Sequence, residues 1–169
     1  MRIVWSESLI NVRNFLLEVR ELPQIKSWQN FSATFERVER ELNWGTTGWA
    51  TPLLYDPVFE FLDRVEAPEE PRAAINLHYG LATYDWERVA AGSDILVGRV
   101  SAGERWVRPT VLLDAAVVAY LKVGRPLAAR TALQLLGPKS GREASNLRNR
   151  LLSAMVQDAL AAQGGPEAF

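Results

Sequence analysis

The sequence lacks cysteine altogether, and histidine is scarce. The absence of cysteine among 169 residues excludes disulfides, zinc–thiolate sites and thiol nucleophiles. His78 is the only histidine, so a Ser-His-Asp triad would have to be built around it. No Ser, Asp or Glu follows it before Asp85, and we interpret His78 as a partly buried structural residue.

Long apolar runs are also absent. The longest, residues 115–121, is far shorter than the roughly 20 residues that a membrane-spanning helix needs. Near the N-terminus, Ser6, Glu7 and Ser8 interrupt the sequence before the apolar core of a signal peptide could form. Together with the lack of cysteine, this predicts a cytoplasmic protein without a membrane partner.

The carboxylates show no arrangement typical of a catalytic or metal site. Asp56, Glu60 and Asp63 lie in one predicted helix, but no lysine follows at the Glu-x-Lys spacing common in metal-dependent nucleases. Acids near a helix N-terminus are expected from the helix dipole alone. With no glycine-rich phosphate loop either, the sequence predicts no enzyme, no metal and no cofactor.

The residues that are present predict a packed, mainly α protein. Hydrophobic residues make up 48% and charged residues 23% of the chain, a typical globular composition. Apolar residues recur at helical spacing and are separated by Gly and Pro breaks. We predict an acidic, Trp-rich helical body at residues 1–108, a basic three-helix unit at 109–162 and a tail at 163–169.

Residues 95–108 suggest strands late in the acidic body. Ile95, Val97 and Val100 could form a strand, with Ser101 to Gly103 as a turn and Arg105 to Arg108 as a returning strand. The same run could be one further helix. We favour a short hairpin here, and Gly92 is predicted to end the preceding helix.

Two tryptophans, Trp44 and Trp49, flank a short glycine-containing loop in the acidic body. They could form an aromatic contact surface for a partner, or their indoles could close over a small core. The first interpretation makes Trp44 and Trp49 candidate partner-binding residues within residues 1–105.

The charge of the chain is unevenly distributed. Residues 122–150 hold seven basic side chains and one acid, a net charge of +6, whereas residues 1–121 carry −5 and the whole chain −1. A basic segment on an acidic body suggests a polyanionic partner at one end of the molecule.

The last predicted helix, residues 142–160, has two distinct faces at 100° per residue. One broad arc is apolar and includes Leu147, Leu151, Leu152, Met155 and Val156. The other arc contains no acid, and its members are Arg142, Asn146, Asn149, Arg150, Ser153 and Gln157. Such side chains hydrogen-bond base edges and phosphates, although a helical bundle whose third helix is merely basic would look the same.

The segment Gly124-Arg-Pro-Leu-Ala-Ala-Arg-Thr-Ala-Leu-Gln-Leu-Leu-Gly137, between an apolar helix and a polar one, resembles helix-turn-helix and winged-helix DNA-binding domains. The resemblance covers about 50 residues, and the turn that follows is longer than usual in those families. It implies that the last helix meets the major groove. The residues that the resemblance would place there are Ser140, Arg142, Asn146, Asn149 and Arg150. With Lys139, just before the helix, and Ser153, from the polar arc, these are the candidate nucleic-acid-binding residues.

Two functions follow from the sequence. The first is a small DNA-binding or transcription-associated regulator, with Lys139, Arg142 and Arg150 on phosphates and Asn146 and Asn149 on base edges. The alternative is a protein–protein interaction module that binds no nucleic acid, such as a phage- or defence-type regulator, an immunity protein or an antitoxin. The oligomeric state stays open, with a homodimer as one option.

Overall fold

The computed structural model describes residues 51–100, 102, 106–137 and 143–164, and this part of the chain contains six α-helices and no strand. The mainly α class predicted from the sequence is therefore confirmed. The chain divides into two compact units, residues 1–85 and 86–169, which are described separately below. Trp44 and Trp49 lie outside the described residues.

Two helices of the first unit are described, α1 (Thr51–Arg64) and α2 (Glu69–Thr83). Helix α1 buries Tyr55, Val58, Phe61 and Leu62, which recur at helical spacing. The ring of Tyr55 packs edge-on against Tyr79 of α2, with centroids 5.3 Å apart.

The connection between α1 and α2 is held by one arginine. Arg72 pairs with the carboxylate of Asp63, and its guanidinium donates to the carbonyls of Leu62, at 2.7 Å, and Ala67, at 3.0 Å. The Leu62 carbonyl also accepts the backbone N–H of Ala67 at 2.9 Å, so Arg72 adds side-chain bonds to a turn that the backbone already closes. Farther along α2, His78 is buried, with 3% of its surface exposed, in keeping with the structural interpretation.

The second unit begins with α3 (Trp86–Val100), which corrects the prediction of a hairpin. Residues 95–100, expected to be the first strand of that hairpin, are the last turns of this helix. The helix ends at Val100, so the alternative of a helix across residues 95–108 holds only for its first part. Gly92 is buried inside α3 rather than ending it. The buried residues Val89, Ser93, Leu96 and Val97 keep helical spacing across the glycine, so packing outweighs its low helix propensity.

Helix α4 (Pro109–Lys122) is the most buried element of the second unit, and α3 and α5 both pack against it. Its buried residues cover most of its circumference, as expected for an apolar helix interrupted only by Asp114 and Lys122. Gly124 follows with a φ of 72°, a left-handed conformation that glycine adopts without strain. Helix α5 (Pro126–Leu136) then starts with proline in its first turn.

Helix α6 (Glu143–Ala162) packs on α4 and α5. Helices are thus present at all three places predicted between residues 109 and 160. That they form a helix-turn-helix-like unit stays a prediction, as does the division of roles at residue 108. Within the described ranges, no helix is long and apolar enough to cross a membrane.

Candidate interaction surface

The outer face of α6 carries a line of exposed apolar side chains. Leu147, Leu151 and Met155, spaced four residues apart, expose 70%, 62% and 39% of their surface. Residues with this spacing lie above one another on a helix and form a ridge. We call these three residues the α6 ridge.

The inner face of α6 contains Leu152, Val156 and Leu160, each at most 8% exposed. Asn149 and Ser153 lie beside them and are half-buried. The buried face of α6 therefore includes part of the apolar arc and part of the polar arc that were predicted for this helix. One side of the apolar arc is left in solvent, and one side of the polar arc is turned toward the protein.

The polar residues predicted to bind nucleic acid therefore differ in their exposure to solvent, and some of them lie outside the described residues. Lys139, Ser140 and Arg142 lie outside the described residues, and only the backbone of Asn146 is described. Arg150 is exposed, as the prediction requires. Ser153 is half-buried on the side of α6 that faces the second unit's core.

Asn149 makes a contact within the chain. Its side-chain Nδ2 donates to the carbonyl of Gly137 at 2.7 Å, at the end of α5. This bond satisfies one of the carbonyls that a helix C-terminus exposes. It ties α6 to α5, and a base contact by the same amide hydrogen would have to replace it.

An ion pair joins α6 to α4 beside the ridge. Arg148 Nε lies 3.5 Å from Asp114 Oδ2, and both side chains are somewhat less than half exposed. The second oxygen of Asp114, Oδ1, is buried and accepts no hydrogen bond from the residues that the structure describes. Burial raises the pKa of Asp114, and the positive charge of Arg148 only partly offsets this increase.

A second polar cluster joins α3, α4 and the start of α5. Arg125 donates two hydrogen bonds of 2.9 Å to the carboxylate of Asp94, and the Tyr120 hydroxyl donates a third at 2.8 Å. The guanidinium also lies 4.9 Å from the centre of the Tyr120 ring. Burial alone would raise the pKa of Asp94, but the hydrogen bonds from Arg125 and Tyr120 lower it below 3.8.

The ion pairs in these two polar clusters neutralise part of the basic charge of residues 122–150. Arg125 and Arg148 are paired with Asp94 and Asp114, which are acids from outside that segment. Lys122 and Arg150 are exposed, and Arg130 is half-buried. The positive field at this end of the molecule is therefore weaker than the count of basic residues suggests.

The α6 ridge was not singled out from the sequence. One signal was available: the apolar arc of this helix spans about half of its circumference. Two neighbouring helices seldom cover so wide an arc, and part of it was bound to remain exposed. The sequence of this helix alone does not indicate which part of the apolar arc stays exposed.

The described residues contain no group of three His, Asp or Glu side chains placed to hold a metal ion. Comparison with models of protein families, with curated proteins and with solved structures finds no match to this chain.

Proposed function

We propose that this chain is a protein–protein interaction module that binds another polypeptide through the α6 ridge. The observation that carries the proposal is the exposure of Leu147 and Leu151, at 70% and 62%. Side chains of this kind are costly to leave in water, and contiguous exposed apolar surface usually marks an interface. The ridge stands on a helix whose opposite face is packed, so it needs no folding on binding.

The ridge also has the form that helices use when they pack. Residues at i, i+4 and i+8 form the commonest type of ridge, which fits the groove between side chains of a second helix. A single line of side chains is well matched to one partner helix. The partner surface we expect is accordingly helical and apolar.

A display library of helical peptides, selected against the full chain, tests this function. Selected peptides should bind the wild-type chain and should lose at least tenfold in affinity for Leu151→Glu, because a charge would be buried in the interface. Leu127→Glu is the matched control, since Leu127 is a 54% exposed leucine on α5. Peptides that bind both variants as well as the wild type would refute a role for the ridge.

DNA binding is the second candidate, and the net charge of +6 at residues 122–150 together with exposed Arg150 favours it. It ranks second because two of those arginines are paired within the protein and Asn149 donates to Gly137. Contacts of these groups with nucleic acid would compete with the contacts that they make within the chain.

Fluorescence anisotropy with mixed duplex DNA at two salt concentrations tests this candidate. DNA binding predicts micromolar affinity that falls steeply with salt, by a slope of about 0.9 per phosphate contact. Arg142→Ala combined with Arg150→Ala should weaken binding and reduce that slope. An absence of binding at low salt would eliminate the candidate and leave the interaction module alone.

A further inference from the structure

The spacing of the α6 ridge is symmetric about Leu151, with an apolar side chain four residues away on either side. Leu147 lies one turn before it and Met155 one turn after it. An antiparallel pair of identical helices that cross at Leu151 would place Leu147 of each against Met155 of the other. The central leucine would meet its own copy on the two-fold axis, which is the requirement of an isologous interface.

The charges along α6 favour the same arrangement. Arg148 and Arg150 lie on either side of the ridge in its N-terminal half, and exposed Asp158 lies near the ridge in the C-terminal half. In a parallel pair, arginines would face arginines and Asp158 would face Asp158. In an antiparallel pair, Asp158 comes level with residue 144 of the other helix, about 6 Å along the helix from Arg148. Arg148 can then lie between this Asp158 and the Asp114 of its own chain.

The neighbouring helix α4 extends the apolar surface. The ion pair between Arg148 and Asp114 brings the ridge side of α6 next to the outer face of α4. Val111, Val118 and Leu121 are half-buried on that face. This extension matters because a stable dimer buries about 800 Å² on each partner, more than three side chains can supply.

From these observations we infer that the partner of the α6 ridge is a second copy of this chain, paired antiparallel through α6 about a two-fold axis at Leu151. This inference rests on the proposed function, because it names the polypeptide that the ridge binds. The interface is small, so we expect an equilibrium between monomer and dimer in roughly the micromolar range.

The absence of cysteine makes the test direct, because any engineered cysteine is the only thiol in the chain. Full-length Leu151→Cys, oxidised with diamide, should form a disulfide-linked dimer rapidly, because bridged Cβ atoms must lie about 4 Å apart. Leu127→Cys is the matched control on α5 and should link far more slowly. Equal rates for the two variants would overturn the inference.

The same approach tests the direction of the helices. In an antiparallel pair, the two copies of residue 147 lie about 12 Å apart along the helix, because each is four residues from the axis. Leu147→Cys should therefore link poorly to itself but well to Met155→Cys when the two variants are mixed. Rapid linking of Leu147→Cys to itself would instead show a parallel pair and refute the proposed axis.

Analytical ultracentrifugation of the cysteine-free protein completes the test. The wild type should change from monomer to dimer with concentration, Leu151→Glu should stay monomeric, and Leu127→Glu should behave as the wild type. A wild type that stays monomeric at several hundred micromolar overturns the second copy as partner. Peptide binding that still depends on Leu151 would then leave the proposed function standing, whereas loss of both would refute it too.

Discussion

At the scale of single residues, Asp94 is an acid whose carboxylate receives three hydrogen bonds from side chains. It accepts two hydrogen bonds from Arg125 and one from Tyr120, and these join three helices. Because Asp94 and Arg125 are nearly half exposed, solvent screens their attraction. The cluster contributes to stability mainly through its geometry, which fixes the start of α5 against α3.

Asp94→Asn should lower the free energy of unfolding by about 1 kcal/mol at neutral pH, because it removes the charge that Arg125 and Tyr120 contact. Urea titration measures this, and Asp56→Asn, at an exposed position on α1, is the control. The folded-state pKa lies below 3.8, so the contribution of Asp94 is present above that pH and is lost as the pH falls through the folded pKa. An unchanged unfolding midpoint in Asp94→Asn would contradict this role.

The contribution of Asp114 to the stability of the fold should change with pH in the opposite direction to that of Asp94. Burial raises its pKa above 3.8, so the folded state holds the proton more tightly than the unfolded state. Stability from this group is therefore complete below pH 3.8 and is lost as the pH rises through the folded pKa. Relative to Asp114→Asn, the wild type should lose stability between pH 3.8 and neutral pH.

Urea titrations of the wild type and Asp114→Asn across this pH range provide the measurement. Arg148→Gln serves as an internal comparison, because loss of the positive charge should raise the pKa of Asp114 further and move the transition to higher pH. Parallel stability profiles for the wild type and Asp114→Asn would show that the carboxylate has the same pKa in both states.

At the scale of elements, the continuation of α3 through residues 95–100 is the main departure from the sequence prediction. Gly92 is typical of a helix end, but the apolar residues on both sides of it share one helical face, and the helix continues through it. The helix also contains Gly98, which is exposed, and a Cβ placed there would have no neighbour within 4 Å.

Substitutions at Gly98 therefore distinguish the two structures. In a helix, Gly98→Ala should stabilise the protein by about 0.5–1 kcal/mol, and Gly98→Val should be less stable than Gly98→Ala by a few tenths. In a strand, the β-branched valine would be the more stable of the two. Thermal unfolding of both variants followed by circular dichroism gives their order, and valine above alanine would favour the hairpin.

At the scale of the whole molecule, the boundary between residues 85 and 86 separates two units that each have a core of their own. In the second unit, α4 supplies a buried apolar centre, with Leu112, Ala116 and Val117 each at most 1% exposed. A unit with its own core is expected to fold without the rest of the chain.

A fragment of residues 86–169 should accordingly unfold in one cooperative thermal transition. Circular dichroism measures it, and the same fragment with Asp94→Asn should unfold at a lower temperature, since the Asp94 cluster lies entirely within this unit. A broad, non-cooperative loss of helix signal would show that the second unit depends on residues 1–85.

The positions of helices α4, α5 and α6 could be predicted from the sequence because helical spacing, prolines in first turns and glycine breaks are local properties. Only the first part of α3 was predicted, because Gly92 indicates a helix end whereas the apolar spacing continues past it. The candidate residues on α6 were harder still. Asn149 lies in the polar arc of the predicted helix. The residues around it do not indicate that its side chain binds the carbonyl of Gly137, twelve residues earlier.

The sequence by itself therefore determined that the chain is mainly helical, where most described helices lie and that its basic charge is concentrated at residues 122–150. Only the tertiary structure decided which side of α6 is buried, because that depends on where α4 and α5 stand around it. The packing of these helices turned Asn149 inward and paired Arg148 with Asp114. It left Leu147 and Leu151 in solvent, because neighbouring helices cover only part of an apolar arc that broad.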